Sequence, residues 1–183
     1  MTSLSNGHPP VASRDRVALL VIDVQQGLFH KSTKLYRADE LLATINALVE
    51  RAHAAGAPIF YVQHASEKVL PWGSEDWQLH PELHPTAADH IVHKLKGNAF
   101  EGTELHGELA ALGIGAVVVT GLVTHGCVKS TCIGAHDLGY RVVLVADGHS
   151  SYSKDAAKLI EEWNEKLSHG IAELRTAGKV EFE

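Results

Sequence analysis

Three residues far apart in this chain, Asp23, Lys94 and Cys127, are of the types that covalent acyl transfer needs. A thiolate is a strong nucleophile, but something must take the thiol proton and later protonate the leaving group. Asp23 suits that task, first accepting the proton and then handing it to a departing amine. Lys94 suits another, holding two negative groups together and lowering the cysteine pKa. Attack on a carbonyl leaves charge on oxygen. Backbone N–H groups in the turn before Cys127 can stabilise that charge, each worth on the order of a hundredfold in rate. Plainer readings stand beside these. Cys127 also suits a small core filler, and Asp23 with Lys94 a structural ion pair between strand ends.

The elements that must position these residues can be traced along the chain. Residues 117–136, VVVTGLVTHGCVKSTCIGAH, begin as a β-branched run with the composition of a strand buried on both faces. Thr120 and Gly121 break it. From Val128 on, Thr131, Cys132, Ala135 and Leu138 recur at helical steps. Cys127 is thus expected in a helix's first turn, where unpaired N–H groups and the helix dipole favour thiolate.

Residues 16–24, RVALLVIDV, predict another buried strand, with Asp23 at its end, where an acid is costly unless paired or used. Phe29, just beyond, is a candidate pocket wall. Asp39 is the expected cap of a helix with the apolar stripe Leu41, Leu42, Ile45, Leu48, Val49 and Ala52, stopped by Gly56 and Pro58. Residues 59–62 predict a strand leading into Gln63 and His64. Residues 65–85 have no period but hold Trp72 and Trp77, which suit an aromatic wall over a pocket or anchors pinning the loop. Residues 89–94 predict a short strand ending in Lys94. Thr103 and Glu104 open a helix carrying Leu105, Leu109 and Leu112. Residues 141–146 predict a fifth strand, and Ala156, Leu159, Ile160, Trp163 and Leu167 a last amphipathic helix. Residues 180–182 predict an edge strand. Apolar strands alternating with helices imply an α/β fold, three layers α/β/α, with a parallel sheet covered on both faces. Sites in such sheets gather beyond the carboxyl ends of strands, and Asp23, Lys94 and Cys127 each stand at or just past one.

Composition narrows the partners. A formal charge of -6 with no basic cluster argues against nucleic acid or an anionic membrane surface. No apolar run reaches membrane-spanning length. Residues 1–14 read as a loose polar arm without a signal-peptide core, and residues 15–183 as a single domain. The two cysteines lie five apart on one predicted helix and point to different sides, so a reduced, cytoplasmic setting is expected.

Three segments, ALLVIDVQQGLF, IVHKLKGNAFEGTEL and VVVTGLVTHGCVKSTCIGAHDLGYRVVLVADGHSS, resemble the isochorismatase-like cysteine hydrolases in motif and order, over most of residues 16–167. The resemblance implies a mostly parallel six-stranded sheet of order 3-2-1-4-5-6. It implies Asp23, Lys94 and Cys127 as a catalytic triad, Lys94 being preferred to Lys96 by its interval to Phe100. It also implies a non-proline cis peptide between Leu122 and Val123, aiming the N–H groups of Val123 and Cys127 at the oxyanion. A homo-oligomer, dimer or tetramer, follows from the same likeness.

Departures from the family bear on the substrate. Nicotinamidases of the family hold a metal through a D-x-H pattern after the second strand, but here that place reads Gln63-His64-Ala65-Ser66. A zinc site from His64, His80 and His84 is conceivable, yet 13 histidines make chance proximity common, so no metal or other cofactor is expected. Members that cleave a vinyl ether can lack the cysteine. Cys127 therefore points to an amide, ureido or lactam C–N bond of a small molecule, cleaved through a thioester. Streptothricin-type lactam hydrolases and carbamoyl amidases both fit. Gln63, Trp72, Trp77, Phe29, His125 and Tyr152 are the candidate substrate contacts, His125 facing the cleft or a subunit boundary. The alternatives are vinyl-ether hydrolysis through Asp23, or a non-catalytic or redox protein in which Cys127 packs or oxidises.

Overall fold

A strand apolar on both faces must lie inside, and β1 (Arg16–Ile22) is buried from its second residue onward. The computed structural model describes residues 16–183, so the predicted arm of residues 1–14 lies outside the described residues. Beside β1 run β2 (Ile59–His64) and β4 (Ile114–Leu122), both parallel to it. β3 (His90–Lys94) extends the sheet beyond β2, and β5 (Arg141–Ser150) and β6 (Glu173–Arg175) extend it beyond β4. The six strands are parallel, in the order 3-2-1-4-5-6. The order reverses between β1 and β4, where ligand sites of open α/β sheets form.

Alternation along each strand divides the core into two layers. Val17, Leu19 and Val21 face α2 (Ala38–Ala55), which lays Leu41, Leu42, Ile45, Leu48 and Val49 on the sheet. Ala18, Leu20 and Ile22 face the other way, toward Leu105 and Leu109 of α3 (Leu105–Ala111) and Cys132 and Ala135 of α4 (Lys129–Asp137). Leu167 of α5 (Ala156–Ser168) joins that second layer. A single turn, α1 (Gln26–Phe29), follows β1.

Several boundaries differ from those expected. β1 ends at Ile22, because Asp23 takes the left-handed conformation with φ 51° and turns the chain out of the sheet. Asp39 does not cap α2. Arg37 does, with φ 49° and no side-chain cap bond, while Asp39 and Glu40 lie in the first turn, where the dipole favours acids. β4 runs on through Thr120 and Gly121. A Cβ at Gly121, whose φ is 119°, would come within 2.1 Å of the Ile22 carbonyl oxygen, so only glycine lets β1 and β4 stay paired there. β5 continues past Asp147 and Gly148 to Ser150, with a register shift opposite residues 119–121. The edge strand is residues 173–175 rather than 180–182. Val180 and Phe182 instead tuck into the α2 layer of the core.

Candidate active site

The carboxyl ends of β1, β3 and β4 bring together the three residues on which the chemistry was predicted to rest. Lys94 is the last residue of β3, and its strand's alternation turns it inward, where it is 1% exposed. Its Nζ lies 3.0 Å from Asp23 Oδ2 and 3.2 Å from Cys127 Sγ. Asp23 is equally buried, its N–H bonded to the Val62 carbonyl at 2.9 Å, so the left-handed turn that ends β1 is what aims its carboxylate. Cys127 is half-buried, in contrast to the fully buried Cys132.

Cys127 does not sit in the first turn of an α-helix. It lies in a wide π-type turn, Thr124–Val128, kinked at Gly126, that precedes α4. The Val123 carbonyl accepts from both Gly126 N (3.0 Å) and Val128 N (3.3 Å). The peptide bond before it, Leu122–Val123, is cis. The turn is held from behind by a chain of side chains, buried at Thr124 and His149 and half-buried at Asn164. Asn164 Nδ2 donates to the Ala146 carbonyl, so its Oδ1 faces His149 and accepts from Nε2 at 2.9 Å. His149 Nδ1 therefore accepts from the Thr124 hydroxyl, at 2.8 Å. From the front, the loop after β3 is pinned to α4. Ala99 N donates to Thr131 Oγ1, and the Asn98 side chain lies against Gly134, where a Cβ would come within 2.4 Å of it.

Lys94 has more partners than protons. Besides Asp23 and Cys127, Nζ donates to the Lys96 carbonyl at 2.9 Å and meets His64 Nδ1 at 3.0 Å. An ammonium has three N–H groups and no acceptor, so His64 Nδ1 must be the acceptor and its proton sits on Nε2. His64 reaches this place because it pairs in register with Lys94 on the neighbouring strand. Its backbone is clamped by the buried Gln25 side chain, which accepts from His64 N at 2.9 Å and donates to His64 O at 3.0 Å. Burial, then Lys94, lowers the His64 pKa, which keeps the ring neutral.

The electrostatics correct one expectation. The Cys127 thiol is not lowered but pushed up to about 12, first by burial and next by the Asp23 charge, against the pull of Lys94. Burial likewise raises Asp23, with Lys94 opposing. The free protein therefore holds a thiol beside a base rather than a ready thiolate. Among the described residues, Asp23 Oδ1 and the Tyr152 hydroxyl are buried without a hydrogen-bond partner in the protein. Tyr152 feels Asp23, whose charge adds to burial in raising its pKa.

The other predicted residues line up around this end of the sheet. Trp72, Trp77 and His93 pack ring against ring, with Trp72 61% exposed and Trp77 buried. The Gln63 amide is engaged at both ends, donating to the Trp77 carbonyl and meeting His93 Nε2. Phe29 packs against His80 with the rings tilted and their centroids 4.3 Å apart, and lines a cleft with Lys31 and Leu35. His125 is exposed, its Nδ1 3.3 Å from Ser151 Oγ. Lys31 lies over the Tyr152 ring. Among the described residues, His80 and His84 do not join His64 in a metal-ligand cluster. Sequence reasoning missed Gln25 and the Thr124–His149–Asn164 chain. A polar doublet ending an apolar strand was the one visible hint of the first.

Known proteins share this architecture. The isochorismatase domain family model matches residues 17–163. Streptothricin hydrolase from Streptomyces noursei is 33% identical over 147 residues, 79% of this chain and 53% of the relative. The chain thus spans about half the length of that relative. The isochorismatase family protein YecD of Escherichia coli O157:H7 is 30% identical, covering 89% of this chain and 93% of its own. The crystal structure of an isochorismatase from Pseudomonas putida KT2440 superimposes with a TM-score of 0.83 at 27% identity, covering 96% of this chain and 94% of its own.

Proposed function

The chain belongs to the isochorismatase family of hydrolases, and from that premise we propose that it is a cysteine-dependent hydrolase of a small molecule's C–N bond, an amide, ureido or lactam. The observation that supports this reading most is the meeting of Asp23, Lys94 and Cys127 at 3.0 and 3.2 Å, on three different strand ends. In the proposed reaction Asp23 takes the Cys127 proton as the sulfur attacks the substrate carbonyl carbon. Lys94 holds the carboxylate and offers an N–H to the developing thiolate. The N–H groups of Val123 and Cys127 receive the oxyanion. The C–N bond then breaks, Asp23 returns the proton to the leaving nitrogen, and an acyl thioester remains. Water, deprotonated by Asp23, attacks the thioester and releases the acid and the thiol. A resting thiol suits this sequence, because the base removes the proton only as the new bond forms. The unpaired Asp23 Oδ1 suits it too, as the oxygen free to receive that proton.

In this reading the Trp72–Trp77–His93 wall, Phe29, His125 and Tyr152 surround the substrate, the buried Gln63 holds Trp77 and His93 in that wall, and the unbonded thiols suit a reducing, cytoplasmic setting. The test is release of ammonia or amine from a panel of amides, ureido acids and lactams. At least one class should be hydrolysed by the wild type and not by Cys127→Ser. Hydrolysis that survives this change, or activity confined to a vinyl ether, overturns the reading.

A further inference from the structure

Four groups of different chemistry converge on one nitrogen. Asp23 Oδ2, His64 Nδ1 and the Lys96 carbonyl lie at 3.0, 3.0 and 2.9 Å from Lys94 Nζ, and Cys127 Sγ at 3.2 Å. The Asp23, His64 and Cys127 ligand atoms also lie within 4.8 Å of one another. Carboxylate, imidazole and thiolate are the donors that zinc and cobalt take, at distances of about 2.0–2.3 Å and in sets of four. An ammonium needs longer contacts, and those seen here are of that length.

We propose that Lys94 is a built-in cation, whose ammonium fills and thereby closes a soft divalent metal site made by Asp23, His64, Cys127 and the Lys96 carbonyl. His64 is then a positioning residue. It touches no reacting atom, but its lone pair fixes the ammonium between base and nucleophile. A divalent ion entering the wild-type site meets a buried positive charge at contact distance, so the same cation that serves the reaction excludes metal. Removing the ammonium leaves the donors in place and a space where it was. On binding there, Cys127 gives up its thiol proton to the buffer.

The test adds cobalt(II) chloride to the full-length Lys94→Ala protein. One equivalent should bind and give a thiolate-to-cobalt absorption in the near ultraviolet. The wild type should show none. The band should vanish in Lys94→Ala/Cys127→Ser, and affinity should fall by at least about tenfold in Lys94→Ala/His64→Ala. A folded Lys94→Ala protein that takes no cobalt overturns the inference, as does a double variant lacking His64 that binds equally well. If Lys94→Ala does not fold, nitrogen-15 imidazole spectra of the wild type decide, with His64 assigned by its loss in His64→Gln. Protonation on Nε2 is expected, and protonation on Nδ1 overturns the inference. The inference rests on the trio of the proposed function but not on turnover. Cobalt uptake without C–N hydrolysis sinks the function alone, and hydrolysis without cobalt uptake sinks this inference alone.

Discussion

The Cys127 thiol feels two opposed charges, and their separate effects can be measured. Asp23 pushes its pKa up and Lys94 pulls it down, with burial adding to the first. Asp23→Asn keeps the shape and removes the negative charge, leaving Lys94 to act alone. Iodoacetamide should then label Cys127 faster at neutral pH, by about tenfold for each unit by which the thiol pKa falls. Hydrolysis should fall by roughly 10²–10⁴, because the base is gone. Lys94→Met should slow both. Cys132, fully buried with its thiol pushed up to about 12, is the internal control and should stay unlabelled in the folded protein. Slower labelling in Asp23→Asn would contradict the upward push of the Asp23 charge on the thiol, and undiminished turnover would count against Asp23 as the base. The three residues were legible in the sequence because each ends or follows an apolar run. His64 was visible there only as a candidate metal ligand. Its contact with Lys94 depends on the register of β2 and β3, which spacing along one chain does not reveal.

At the scale of elements, the turn that carries Cys127 depends on a support from β5 and α5. His149 is buried and held neutral, its pKa lowered by burial while Asn164 and Asp147 pull the other way. A depressed folded pKa means that the unfolded chain binds the proton more readily. The stability contributed by neutral His149 is therefore complete above its ordinary value of 6.5 and is lost as the pH falls through the lower folded value. Each unit of depression is worth about 1.4 kcal/mol. Between pH 7 and pH 5, the urea midpoint of the wild type should fall further than that of His149→Gln. Equal falls would assign the acid loss to His64, His80 and His93, whose pKa values are also lowered. β1, β2 and β4 were readable because their apolar runs are unbroken. β6 was not, since Glu173-Leu174-Arg175 is short and charged, and the more apolar 180–182 drew the assignment. The extension of β5 past Asp147 and Gly148 was hidden by two residues that usually mark a turn.

For the molecule as a whole, no helix among the described residues is long and apolar enough to cross a membrane. Leu95 and Trp72 are 70% and 61% exposed, and Leu95 directly follows Lys94 at the end of the edge strand β3. We propose that the exposed Leu95, just past the edge strand, contributes to a homo-oligomer. Light scattering should give a multiple of the chain mass, and Leu95→Glu should shift it toward the monomer. A wild-type monomer would contradict that proposal. The parallel sheet and its order were accessible from motif order and from strands alternating with helices. The side on which residues 176–183 pack was not, because Val180 and Phe182 read equally well as a strand. The most direct test of the central claim is the mass of the whole chain, acid-quenched during turnover of a substrate found by the release panel. The expected result is a gain equal to the acyl part of that substrate, confined to the Cys127 peptide, cleaved by hydroxylamine and absent in Cys127→Ser. Sustained turnover with no such adduct, undiminished in Cys127→Ser, would contradict it.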